Sequence, residues 1–96
     1  DYSVEYSVKN VIDQKNNYLL DLKAKTDTVA YDRLKMKVDK KRFLPKSIEC
    51  FAVSGMLIKT LYFKDNRDFG EGLVRPSVME TDSPLYKGYK SVMIWA

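Results

Sequence analysis

The sequence predicts a mainly β domain, a curved antiparallel sheet or partial barrel, on three observations. Polar and apolar residues alternate with a period of two over most of the chain, as half-buried strands do. Turn-forming residues cut that alternation into seven short segments, the spacing of an antiparallel sheet. Ninety-six residues, 45% of them hydrophobic, are enough for one core and too few for two.

From Asp1 to Lys9 the alternation is unbroken, with Tyr2, Val4, Tyr6 and Val8 on one side, which predicts a first strand. The polar break Gln14 to Asn17 leads into a second strand, where Tyr18, Leu20, Leu22 and Ala24 share a face. After Thr26-Asp27-Thr28, Leu34, Met36 and Val38 alternate with Arg33, Lys35, Lys37 and Asp39. A third strand is expected there. A helix competes, since Tyr31, Leu34 and Val38 also fit helical spacing behind a capping Thr28.

Lys40-Lys41-Arg42 reads as a basic turn, and Phe43 to Val53 as a fourth strand with Pro45 near its start, where a missing N–H is tolerated. Ser54-Gly55 signals a tight hairpin into a fifth strand, Met56 to Phe63. Lys64 to Gly72 reads as an exposed loop. Leu73 to Glu80 is a sixth strand in which Pro76 requires an edge, a bulge or irregular backbone. Thr81-Asp82-Ser83-Pro84 is a turn, and Ser91 to Ala96 a seventh strand.

Register can be read from the two central hairpins. A three-residue loop Lys40–Arg42 pairs Val38 with Leu44, Leu34 with Ile48 and Arg33 with Glu49, and leaves Met36 beside Lys46, whose stem can lie along the apolar face. A three-residue loop Val53–Gly55, with Gly55 at the positive-φ bulge position, pairs Ala52 with Met56, Cys50 with Ile58 and Glu49 with Lys59. Both loops then sort Arg33, Glu49 and Lys59 into one charged row and the apolar residues onto the opposite face. A two-residue Ser54-Gly55 turn would set Cys50 against Lys59 and scramble the sorting. The scheme leaves Tyr31, Phe51, Leu57, Leu61 and Phe63 as a wet apolar patch on the charged side.

Composition excludes several function classes. With no histidine there is no Ser-His-Asp or Cys-His nucleophile system, no imidazole metal ligand and no histidine pH switch. The lone Cys50 makes no intramolecular disulfide, and its alternation with Ile48 and Ala52 predicts burial and an inert thiol. No apolar run approaches the ~20 residues of a membrane-spanning helix. Asp65, Asp68, Glu71, Glu80 and Asp82 gather in or near loops, yet Asp65-Asn66-Arg67-Asp68 lacks the glycine and glutamate offsets of a calcium loop. Solubilising charge is the simpler reading. Seven tyrosines and a pI near 9.1 invite a nucleic-acid reading, but a net charge of +4 is small for it. The basic cluster Lys35, Lys37, Lys40, Lys41 and Arg42 reads first as a solvated strand face and turn.

The stretch Ala30-Tyr31-Asp32-Arg33-Leu34-Lys35-Met36-Lys37-Val38-Asp39, then Phe43-Leu44-Pro45-Lys46, Gly55-Met56-Leu57-Ile58-Lys59-Thr60 and Arg75-Pro76-Ser77-Val78-Met79, resembles the C-terminal part of the outer-membrane lipoprotein-sorting, LolA-like family. The resemblance runs from about Tyr18 to Ala96. It implies an unclosed β-barrel, or half-barrel, whose concave apolar face shelters acyl chains, in a bacterial periplasmic or cell-envelope protein. The N-terminal strands and lid helices of the family are not matched, so residues 1–96 are expected to be a single β domain forming the C-terminal part of a larger one.

On this reading the domain is not an enzyme, needs no cofactor or metal, and binds lipid acyl chains or lipoproteins rather than nucleic acid. The lipid-contact candidates are Leu34, Met36, Val38, Ile48, Cys50, Met56 and Ile58. The same pattern also fits ordinary core, because any packed sheet shows one apolar face. The competing class is a protein-interaction module that uses open sheet edges and the Tyr31, Phe51, Leu57 patch, including homodimer formation by edge pairing.

Overall fold

The structure is a computed structural model that describes residues 5–26, 29–84 and 90–94. Among these residues seven strands follow one another across a single antiparallel sheet: β1 (Tyr6–Asp13), β2 (Asn17–Ala24), β3 (Arg33–Asp39), β4 (Pro45–Phe51), β5 (Leu57–Asp68), β6 (Val74–Asp82) and β7 (Lys90–Ile94). Among the described residues each strand pairs with its sequence neighbours, and the sheet is not closed into a barrel. The competing helix does not form, because β3 pairs along its whole length with β2 and most of it with β4. Its expected cap, Thr28, lies outside the described residues.

Several boundaries move. The first strand begins at Tyr6 and runs on to Asp13, while Tyr2 and Val4 lie outside the described residues. Tyr6 is buried, whereas Val8 on the same face is exposed. A register shift at Lys9 then turns Val11 to that face and Ile12 to the other. The expected loop from Lys64 is strand as far as Asp68, and the connection shrinks to Phe69–Leu73. Gly70, Glu71 and Gly72 all take positive φ there, so a tight turn replaces a long loop. Thr81 and Asp82 belong to β6 rather than to a turn. The seventh strand starts at Lys90, and its expected last residues, Trp95 and Ala96, lie outside the described residues.

Pro76 sits where β6 can accommodate it. It pairs with Asn66 of β5, and β7 reaches only Val78 to Asp82, so Pro76 borders no ladder on its other side among the described residues. Beside it the buried Ser77 donates its hydroxyl to the carbonyl of Asp65 at 2.6 Å, and Asp65 takes a φ of 52°.

The β3–β4 hairpin departs from expectation twice. Its loop holds four residues, Lys40 to Phe43, closed by Asp39 N–H donating to Leu44 O at 2.8 Å, with Phe43 at φ 56°. A further slip follows, Val38 pairing with Pro45 but Lys37 with Ser47. Leu34 therefore faces Cys50 and Met36 faces Ile48, rather than Ile48 and Lys46. Two one-residue slips restore parity, so the same side chains still point inward. Lys46 lies instead 3.8 Å from Asp39.

The β4–β5 hairpin starts as expected and then departs. Ala52 N–H donates to Met56 O at 2.9 Å, Gly55 has φ 88°, and Phe51 pairs with Leu57. The next pair is Cys50 with Lys59, which leaves Ile58 as the extra residue of a bulge. A single slip reverses the face of everything that follows. Leu61 comes opposite Ile48 and is buried, and Phe63 packs on the core. The expected Arg33, Glu49, Lys59 row does not form: Arg33 faces Phe51, Lys35 faces Glu49, and Lys59 faces Cys50.

The core consists of Tyr6, Leu22, Leu34, Ile48, Cys50 and Leu61, bordered by Leu20, Ala24, Val29, Tyr31, Met36, Phe63 and Met79. Leu34 and Ile48 are each 1% exposed. Each buried side chain of this size contributes roughly 1.5–3 kcal/mol relative to exposure. Tyr6 adds a polar tie, its hydroxyl donating to Tyr31 O at 2.7 Å.

Candidate functional site

The two faces of the sheet differ in chemistry because paired residues share a face and neighbours along a strand alternate. On the first face, Leu22, Leu34 and Cys50 form one cross-strand row, and Leu20, Met36, Ile48 and Leu61 the next. This apolar surface crosses β2 to β5. Met79, opposite Phe63, carries it onto β6.

Four of the expected contact residues meet there: Leu34, Ile48 and Cys50 are buried, and Met36 packs on their border. Val38 is buried outside that cluster, towards the end of β3. Met56 is exposed beside the Val53–Gly55 turn, and Ile58 is half-buried in the bulge, so neither joins the cluster. Leu22 and Leu61 are members that the sequence reading leaves out. The alternation of β2 already places Leu22 beside Leu20, whereas nothing local announces the bulge that turns Leu61 inward.

Burial raises the Cys50 thiol above its ordinary value, and the nearby Lys59 ammonium opposes that shift only in part. The neutral thiol is a small apolar group in this setting, not a nucleophile. Of the wet apolar patch expected from the sequence, Leu61 and Phe63 turn inward and Leu57 stays half-buried opposite Phe51, while the Lys35 ammonium lies 5.3 Å from the Phe51 ring and that of Lys59 lies 5.2 Å from the Tyr31 ring.

The opposite face is charged and holds a cavity of about 510 Å³. One row across it is Asp21, Lys35, Glu49 and Thr60, and the next is Leu19, Lys37, Ser47 and Tyr62. Asn10 and Ile12 extend the lining onto β1, the register shift at Lys9 having turned Ile12 to this side. Arg33 Nε lies 3.2 Å from Asp21 Oδ1, an ionic contact without the alignment of a hydrogen bond. The basic turn is tied down as well: Lys40 bonds to Asp13 and to Gln14 O, and its bond to Asp13 raises its pKa.

Among the described residues no cluster of three His, Cys, Asp or Glu side chains could hold a metal ion, and no helix is long and apolar enough to cross a membrane.

This arrangement of strands matches two solved structures. A LolA superfamily protein from Nitrosomonas europaea aligns with a TM-score of 0.80 at 23% identity, over 96% of this chain and 43% of that one. The chain has part of the LolA fold. A structure described as a putative outer membrane lipoprotein-sorting protein domain, from Vibrio parahaemolyticus, aligns with a TM-score of 0.78 at 19% identity, over 92% of this chain and 38% of that one. The chain thus spans less than half the length of either LolA-fold relative. A family model described as "Uncharacterized protein" matches residues 1–96, and the chain belongs to that family. No curated protein matches the sequence.

Proposed function

We propose that this chain is a non-enzymatic lipid- or lipoprotein-binding domain of the bacterial periplasm or cell envelope, sheltering acyl chains against its apolar face. The observation that carries the reading is the apolar surface that crosses β2 to β5 of an unclosed sheet and reaches β6 at Met79. Leu34, Ile48 and Cys50 form its floor, and Met36 and Val38 extend it along β3. Met56 and Ile58 lie towards the β4–β5 turn, where a chain would enter. An acyl chain would displace the bordering Met36, Phe63 and Met79 side chains. Methionine suits such a wall because its flexible thioether repacks easily. Each methylene moved out of water contributes about 0.8 kcal/mol.

Native mass spectrometry of the purified chain, followed by organic extraction, tests the reading. Lipid-sized adducts are expected, and Met36→Asp and Ile58→Asp should each abolish them while circular dichroism still reports the sheet. Both residues are only half-buried, so the substitutions address uptake rather than folding. Unchanged uptake in both variants would overturn the assignment.

The edges favour a second reading, an interaction module. Val8, Val11 and Ile12 on β1 and Val92, Met93 and Ile94 on β7 are all at least 50% exposed. Such edges invite strand addition by another chain, a second copy included. A lipid-free dimer in the same mass spectrum would support this reading over the carrier.

A further inference from the structure

The cavity opens on the charged face, opposite the proposed acyl-binding surface, with Leu20 and Met36 of that surface also bordering it, and what it binds does not rest on that reading. Its lining is two cross-strand rows of different character. One row is polar and charged throughout, Asn10, Asp21, Lys35, Glu49 and Thr60, whereas the other runs from apolar Ile12 and Leu19 through the Lys37 ammonium to the hydroxyls of Ser47 and Tyr62. Five strands at the usual spacing give the trough a length of roughly 19 Å. Its volume falls within the range of small-molecule sites, roughly 300–1,000 Å³.

The charge balance favours an anion. Asp21 is engaged by Arg33, which leaves Glu49 as the remaining carboxylate of the lining against two lysines. Lys35 is drawn towards the Phe51 ring and faces Glu49 across the strands. Lys37 faces Leu19 on one side and Ser47 on the other, and it has no carboxylate partner among the described residues. A cation flanked by an apolar residue and a hydroxyl suits a ligand with the same order of groups.

We propose that this cavity binds a small amphiphile with an anionic head, a carboxylate or a phosphate, held by Lys37 with Ser47 and Tyr62, its short apolar tail lying on Leu19 and Ile12. Lys35 adds long-range attraction, and Glu49 disfavours heads of higher negative charge.

Titration of the isotope-labelled chain with octanoate, octyl phosphate and octyltrimethylammonium, followed by amide chemical shifts, tests the site. Saturable shifts at Leu19, Lys37, Ser47 and Tyr62 with either anion support it, and the anion that binds identifies the head group. Lys37→Gln should weaken that binding roughly tenfold, the equivalent of about 1.4 kcal/mol. Lys37→Glu should abolish it and admit the cationic amphiphile. Lys37 is exposed, so neither variant threatens the fold. Equal binding of all three compounds, shifts centred on Leu34 and Ile48, or no saturable shift would each overturn the proposal.

Discussion

The two central hairpins differ by the parity of their irregularities. Between β3 and β4 the loop gains one residue, Phe43, and a second slip follows at Lys46, so the apolar residues keep their expected face although every partner changes. Between β4 and β5 the turn is as expected, but the single bulge at Ile58 sends Lys59 to the core side and brings Leu61 and Phe63 with it. A correct turn does not guarantee a correct face, and a wrong partner need not spoil one.

Truncation of core residues probes this difference with the largest effect. Leu61→Ala should cost about 3 kcal/mol in chemical denaturation, like Leu34→Ala, whereas Met56→Ala should cost under about 1 kcal/mol. Equal costs at positions 56 and 61 would return β5 to the register without a bulge.

Gly55→Ala is expected to cost about 1 kcal/mol, because φ 88° strains a residue with a Cβ. Phe43→Gly should change stability by less than that, since relief of a φ of 56° is offset by loss of the stacked contact with Tyr18, at 6.3 Å between ring centres. Thermal melts of the two variants compare the turns directly.

Deletion of Lys59 closes the bulge and sets Ile58 opposite Cys50, with Leu61 still facing Ile48. The chain should remain folded within about 1 kcal/mol of its original stability, and a collapse would show that the bulge itself is required.

Cys50 offers a pH test. Its thiol pKa is raised in the folded state, so the unfolded chain loses its proton first as pH rises. The contribution is fully present below the ordinary thiol value of 9.0 and declines above it. Alkylation by iodoacetamide at pH 8 should be slow in the native chain and fast in urea. Rapid native alkylation would place Cys50 outside the core. The smallest effect is expected from Lys64→Gln, which removes the exposed 2.9 Å pair with Glu80 and should cost under about 0.5 kcal/mol, less in high salt.

Much of this molecule is local information. Alternation at Leu34, Met36 and Val38, the polar break before Tyr18 and the glycine at position 55 are short-range signals, and they determine β3, β2 and the β4–β5 turn because side-chain period and positive φ act within a few residues. Four of the seven expected contact residues gather for the same reason. The tertiary structure decided the rest. The bulges at Lys9 and Ile58, the extra slip at Lys46 and the extension of β5 to Asp68 depend on how neighbouring strands share hydrogen bonds across a twisted sheet. Those choices turned Leu61 inward and Ile12 outward, and with them set which residues line the core and which line the charged cavity.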